Sequence, residues 1–434
     1  MTARKAFRAA VYHCVADPGG VPVDEAIEYI EDALLVVEDG RIAALGPAEE
    51  LLPALGEDTL VEDLTGKLLL PGLIDCHVHY AQLDIIAAYG EKLLDWLHRY
   101  AYPAEARFAD KAHAAEVAEA FLEELLRNGI TTALIFATVH PQSVDAIFEA
   151  AERRNMRVIA GKVLMDRNCP EELRDTPESA YADSKALIER WHGRGRLGYA
   201  ITPRFALTSS AAQLEAAGRL AAEHPDAWVH THLAENREEV EEIAKAFPES
   251  RSYLDVYERF GLVRHRSMFA HCLHVDDDDR AVMAGRHAAG AFCPTSNLFL
   301  GSGLFNLQAM TEAGVNVGLA TDVGGGTSLS MLRTMSSAYK VLHLQGQPLA
   351  ASRAVYLATL GAARALDLED VIGNLSPGKE ADFIAIDFAA TRITERRTLS
   401  AESIDEALFS LIFLGDDRHI ARTYILGESP ASGS

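Results

Sequence analysis

Through the middle of the chain, short apolar runs alternate with longer stretches in which apolar residues recur every third or fourth position. The runs cover residues 72–79, 131–136, 157–163, 197–201, 227–232, 267–271, 290–293 and 317–322. Residues 112–126 and 213–223 carry the spacing of amphipathic helices. Eight strands alternating with helices predict an α/β chain built as a (β/α)8 TIM-like barrel. An open doubly wound sheet usually has fewer strands, and no Gly-x-Gly-x-x-Gly follows the first run. The two ends differ. Residues 6–14, 33–38, 41–45 and 67–70, and later 382–386 and 421–425, are short β-like runs separated by turn residues such as Asp39-Gly40. They predict a small β-sandwich domain of antiparallel strands built from both termini. The expected boundaries give residues 1–69 and 373–434 to that domain and residues 70–372 to the barrel, with the tail from Gly427 onward frayed.

Composition narrows the possibilities. The 434 residues exceed a typical single domain, and at 49% hydrophobic they can bury a large core without staples. The charge of −24, from 64 acidic and 40 basic residues, leaves no basic stripe for a phosphate backbone, so no nucleic-acid partner is expected. Cys14, Cys76, Cys169, Cys272 and Cys293 are odd in number, show no Cys-x-x-Cys spacing and mostly sit in apolar runs. Reduced thiols in a reducing compartment are expected. No stretch reaches the roughly 18–20 apolar residues of a membrane span. Neither a signal peptide nor an anchor is evident, so the expectation is a cytoplasmic protein with no membrane partner.

Barrels of this kind do their chemistry at the C-terminal ends of the strands. The first run ends in His77-Val78-His79. Residues two apart in an extended chain face the same way, so both imidazoles can reach one metal ion. An isolated His-x-His carries little weight. Here the fifth run ends in His232 with Glu235 three residues on, the sixth ends in His271, and the eighth in Asp322. The set suits a catalytic zinc site with nitrogen ligands, a carboxylate and a position open to water. Glu235 suits a proton shuttle between that water and a substrate. The cytidine-deaminase type of zinc site needs Pro-Cys-x-x-Cys, and this chain has Cys293-Pro294-Thr295-Ser296 instead.

Residues 71–79, Pro-Gly-Leu-Ile-Asp-Cys-His-Val-His, resemble the first-strand signature of the amidohydrolase superfamily. Thr321-Asp322 resembles its last-strand signature, and residues 373–382 resemble the turn that returns the chain to the small sheet domain. The resemblance implies His77, His79, His232 and Asp322 as metal ligands, Glu235 as the proton shuttle, and His271 as the residue that holds or polarises the attacking water. The binuclear branch has a carboxylated lysine at the end of strand four. Here that strand reads Tyr199 to Arg204 without lysine, and Lys162 on strand three is read as structural or snorkelling, so one metal is expected. Zinc follows from the resemblance; iron or manganese would also accept these ligands.

Finer motifs resemble the guanine deaminases. They are His79-Tyr80-Ala81-Gln82, residues 90–97 with Tyr102-Pro103-Ala104-Glu105, residues 139–143, 161–168 and 201–206, and Cys293 to Asn297 with Gly301-Ser302-Gly303. That family usually has proline where this chain has Ala81. The resemblance puts Gln82, Arg204 and Phe205 in a purine pocket. Arg204 can donate to O6 of guanine, Gln82 can read a polar ring edge, and Phe205 can stack. An adenine in the same place would leave a buried guanidinium unpaired. The short helix with Leu93, Leu94, Trp96 and Leu97 is either core packing or a cap over the site. His140, Asp166 and Asn168 stand at strand ends and carry no assigned role. The implied reaction is hydrolytic deamination of guanine to xanthine and ammonia, by a chain expected to form a homodimer. The alternatives are a deaminase acting on another aminated ring (a pterin, triazine or cytosine) and a non-catalytic relative of the same fold.

Overall fold

The computed structural model describes residues 4–56, 59–89 and 92–429. Gly90 and Glu91 of the motif at 90–97 lie outside the described residues, as do residues 430–434. The chain opens with β1 (Arg4–Cys14), β2 (Ile27–Glu38), β3 (Arg41–Pro47) and β4 (Leu60–Pro71). One residue later the barrel begins: β5 (Leu73–His79), β6 (Ile130–Phe136), β7 (Arg157–Gly161), the short β8 (Val163–Leu164), β9 (Leu197–Pro203), β10 (Trp228–Leu233), β11 (Ser267–His271), β12 (Ala289–Phe292) and β13 (Val317–Leu319). β14 (Phe383–Ile386) and β15 (Ile420–Tyr424) return to the first sheet.

The barrel strands pair in parallel in sequence order, with β8 an offshoot on β9. Every residue of β5, β6 and β9 is buried, as expected of strands covered on both faces. The helices supply the outer cover. Helix Lys111–Arg127 buries Ala114, Val117, Ala118, Phe121, Leu122 and Leu125 along one stripe, and the Asp110 side chain accepts the Ala112 N–H at its start. Backbone bonds tie the last strand to the first. Asp322 N–H donates to the His77 carbonyl at 2.9 Å, and His79 N–H to the Val323 carbonyl at 2.7 Å. Asp75, fully buried at this seam, accepts the Thr321 N–H at 3.0 Å and the Thr321 hydroxyl. Ile74, Leu134, Ile159, Ala200, Trp228 and Met268 fill the lower barrel, with Ala362 and Leu366 as a plug.

β5 contains a register shift. Asp75 pairs with Ala133 but Val78 pairs with Ile135, so one extra residue is accommodated between them. This bulge reverses the alternation. Ile74 and Cys76 join the barrel-floor cluster, and His77 and His79 turn to the interior above them.

The terminal strands form one six-stranded sheet in the order β15-β14-β4-β1-β2-β3. It is mixed rather than wholly antiparallel, because β1 and β4 run parallel. The chain leaves β3 at one edge and must cross β2 and β1 before pairing again, and such a crossover yields a parallel neighbour. Phe7 on β1 and Phe383 on β14 are separated by β4, yet their ring centroids lie 4.9 Å apart. The sheet therefore curls around an apolar core that includes Val11, Leu35, Leu69 and Tyr424. Between β14 and β15, helix Ile404–Leu414 packs against the barrel-side helices Met331–His343 and Ala351–Leu357. The start of the tail does not fray: Gly427 N–H donates to the Ala381 carbonyl, and Ile425 N–H to that of Glu428, each at 2.8 Å.

Candidate active site

The strand ends bring the expected residues together. His77 and His79 close β5, and Gln82 follows in the turn Tyr80–Ile85. Arg204 and Phe205 leave β9 directly; His232 lies one residue before the end of β10, and His271 ends β11. Glu235 and Asp322 sit in the turns after β10 and β13. Ala234, His271 and Asp322 take left-handed backbone, with φ of 50°, 78° and 50°. Such conformations cost about 1–3 kcal/mol each and concentrate where geometry is imposed for function.

Donor atoms of His77, His79, His232 and Asp322 all lie within 4.8 Å of one another. The Nε2 atoms of His77 and His79 are 3.2 Å apart, and they lie 3.1 and 3.4 Å from Asp322 Oδ1. His232 Nδ1 is 2.7 Å from the Arg204 carbonyl oxygen. A carbonyl only accepts, so Nδ1 carries the proton and Nε2 keeps a lone pair. His77 Nδ1 is 2.7 Å from His230 Nε2, and a proton on that Nδ1 leaves the His77 Nε2 free as well. Burial disfavours the charged imidazoles, holding His77 and His232 below their ordinary range and His79 down to about 4. Burial would raise the Asp322 carboxyl, but the facing histidines, His77 first, outweigh it and hold it well below the usual range. Imidazole nitrogens and an ionised carboxylate, converging within 4.8 Å of one another, fit a divalent cation.

Glu235 lies beside this cluster. Burial first, and then the Asp322 charge, push its carboxyl up to about 8, and the Ser302 hydroxyl donates to its Oε1 at 3.2 Å. His271 Nε2 is 3.4 Å from Glu235 Oε2 and 3.7 Å from Asp322 Oδ2, while its Nδ1 contacts Asn297 Oδ1 at 2.9 Å. Glu239 anchors the turn, accepting the N–H groups of Glu235 and Asn236 at 3.0 and 3.1 Å and the Tyr253 hydroxyl at 2.7 Å. The cluster opens into a cavity whose walls include Gln82, Arg204 and Phe205. Leu93, Trp96 and Leu97 line it too, so the short helix covers the cavity while also packing in an apolar cluster.

Other residues fall elsewhere. His140, Asp166 and Asn168 are not among the lining residues. The Asp166 carboxylate accepts from Ser210, and Asn168 donates to the Leu207 carbonyl. Lys162 does not snorkel; its ammonium is buried against Asp175 and the Val163 carbonyl. Glu105, His230 and Ser302 belong to the site network without having been assigned a role from sequence. His230 stands two residues before His232, where the same alternation argument reaches it. Glu105 and Ser302 lie in motifs read only as resemblance.

A TIM-like barrel with a curled sheet from both termini, and a His/Asp cluster at its strand ends, is a metal-hydrolase architecture. The chain belongs to the amidohydrolase family, whose model matches residues 68–429. Within it, the chain is 50% identical over 405 residues to the guanine deaminase of Escherichia coli (strain K12), covering 93% of this chain and 92% of that one. The solved structure of E. coli guanine deaminase matches with a TM-score of 0.96 and 48% identity, over 98% of this chain and 99% of that one. Guanine deaminase from C. acetobutylicum, solved with guanine in the active site, matches with a TM-score of 0.88 and 26% identity, over 98% and 100% of the two chains.

Proposed function

We propose that this chain is a zinc-dependent guanine deaminase that hydrolyses guanine to xanthine and ammonia. What carries the reading is that His79, His232 and Asp322, three of the four converging donors, line one cavity with Glu235, Gln82, Arg204 and Phe205, in a chain 50% identical to E. coli guanine deaminase. The guanine-bound relative from C. acetobutylicum supports the same substrate.

His77, His79, His232 and Asp322 would hold the ion. A bound zinc ion lowers the pKa of a coordinated water to about 7 and polarises the bond under attack. The chain supplies the rest. Arg204 donates to O6 of guanine, and Phe205 packs against the ring. Each end of the Gln82 amide keeps a hydrogen-bonding valence for the ring edge, because Nε2 spends one hydrogen on Glu105 and Oε1 one lone pair on Gly324. Asp322, held ionised, accepts a proton from the attacking water. The water oxygen bonds to C2 while Glu235, held protonated, delivers its proton to ring N3. His271 orients the water through Nε2. The exocyclic nitrogen then takes up the proton held by Asp322, the C2–N bond breaks, and ammonia leaves as the C2 hydroxyl gives its proton back to Glu235 and becomes the carbonyl of xanthine.

The test is ammonia release from purified, metal-analysed protein offered guanine, adenine, cytosine and a pterin in parallel. Release from guanine alone, with about one zinc per chain, is the expected outcome. Metal present without release from guanine would overturn the roles of Gln82 and Arg204. The homodimer and cytoplasmic location stand as further proposals, read by sedimentation and by cell fractionation. Among the described residues, no helix is long and apolar enough to cross a membrane.

A further inference from the structure

Glu105 lies on helix Tyr102–Ala106, away from every strand end, and no step above uses it. It is 1% exposed, and Arg204 is 2% exposed. Both its oxygens accept from Arg204 Nη1, at 2.8 and 2.7 Å, and Oε1 also accepts from Gln82 Nε2 at 2.8 Å. Gln82 Oε1 accepts the Gly324 N–H at 3.2 Å, and the Tyr102 ring backs the guanidinium at 5.2 Å. One carboxylate thus holds Gln82 and Arg204 together in the cavity wall and offsets the charge of the guanidinium.

The charge matters more than the positioning. An arginine buried alone is an uncompensated cation and attracts any anion that reaches it. With Glu105 in contact, Arg204 keeps its N–H donors, and the pair as a whole carries no net charge. A compensated pair offers hydrogen bonds but little Coulomb gain to offset the desolvation of an anion, so a carbonyl oxygen on a neutral ring enters at lower cost than an oxygen that carries negative charge. We infer that Glu105 is a specificity-determining residue, which makes this wall select neutral oxo-heterocycles and disfavour anionic ones. The inference rests on the guanine reading and extends it to product release. Xanthine has a more acidic ring than guanine, and a compensated wall holds its ionised form weakly.

The experiment compares two oxopurines near neutral pH: hypoxanthine, which is neutral there, and urate, which is an anion. Their affinities for the metal-loaded protein are measured by calorimetric titration. The unmodified protein is expected to hold hypoxanthine more tightly than urate. Glu105→Gln should move the ratio of the two constants toward urate by about tenfold or more. Glu105→Asp keeps the charge and should leave the ratio where it was, even if both ligands weaken. Other charges in the cavity, that of Asp322 among them, are common to all variants and cancel in the comparison. An unchanged ratio in folded Glu105→Gln overturns the inference, because a merely structural glutamate weakens both ligands alike. Should that variant not fold, the unmodified protein decides, and urate held as tightly as hypoxanthine overturns it. Failure of guanine turnover with metal bound would sink the guanine reading instead, since the titration reads the ratio without turnover.

Discussion

Glu235 stands three residues past His232, beyond an Ala234 held at φ 50° and above a Glu239 that ties down its N–H. If it acts as the acid, Glu235→Gln should retain metal and lower turnover by about a hundredfold to ten-thousandfold. Near-normal turnover by that variant, checked by steady-state assay and metal analysis together, would remove the role. The pH profile gives a second check. The proton is present below the group's pKa, which burial raises to about 8, so turnover at saturating guanine should fall on the alkaline side of that value. A profile level through pH ~9 would contradict the assignment. Chelation should abolish turnover and lower the thermal midpoint, because an ion bound only by the folded chain stabilises it. Most of this cluster was legible because it lies at strand ends, where side-chain type and alternation suffice. His77, His79, His232, Glu235, His271 and Asp322 all occupy such positions. Glu105 does not, and nothing in Tyr102-Pro103-Ala104-Glu105 says that its carboxylate faces Arg204, nearly a hundred residues away.

At the scale of elements, the eight runs became the eight barrel strands, with β8 an offshoot from the third, because each is mostly apolar and the stretches between them form helices. Periodicity could not reveal the bulge in β5. Strict alternation would set His77 and His79 opposite Ile74 and Cys76, and only the pairing with β6 shows the extra residue that brings all four toward the interior. The parallel pairing of β1 with β4 was hidden for a similar reason, since strand direction depends on a crossover and not on local pattern. Close packing between strands is likewise invisible in a single run. Gly161 ends β7 against β9, and a Cβ there would sit 1.6 Å from the Ala200 carbonyl oxygen. The neighbour is backbone and cannot rotate away. Gly161→Ala should therefore destabilise the protein by about 1–3 kcal/mol or more, read as a lower denaturation midpoint. An unchanged midpoint would mean that the β7–β9 contact has room the geometry denies.

Across the whole molecule, the barrel and the terminal sheet meet at a cluster of four charges, the two acids buried and the two arginines partly so. Arg157, which begins β7, and Arg196, just before β9, reach Glu380 and Asp382 in the segment that leads into β14. Arg157 Nη2 lies 2.7 Å from Glu380 Oε2, and Arg196 donates from Nε to the same oxygen at 2.9 Å and from Nη2 to Asp382. Residues 373–382 were read only as a resemblance to a returning turn, so their acids had no partners until the barrel floor was seen. A cluster of this kind is weak evidence for stability as a whole, but removing one partner leaves uncompensated charge in the interior. Arg196→Met should therefore cost about 3–5 kcal/mol of folding stability, while metal content and the KM for guanine stay as they were. The pH dependence has a definite sign. Burial alone would raise the Glu380 carboxyl, but Arg196 and then Arg157 outweigh it and hold it below the ordinary range. A depressed acid contributes stability above its unfolded pKa and loses that contribution as pH falls through the folded one. The stability gap between unmodified protein and Arg196→Met should thus be widest above the usual carboxylate range and narrow on acidification. Denaturant titrations at several pH values measure it. A gap that widens on acidification, or a variant that loses its metal, would mean that Arg196 supports the strand ends directly rather than the junction between the two layers.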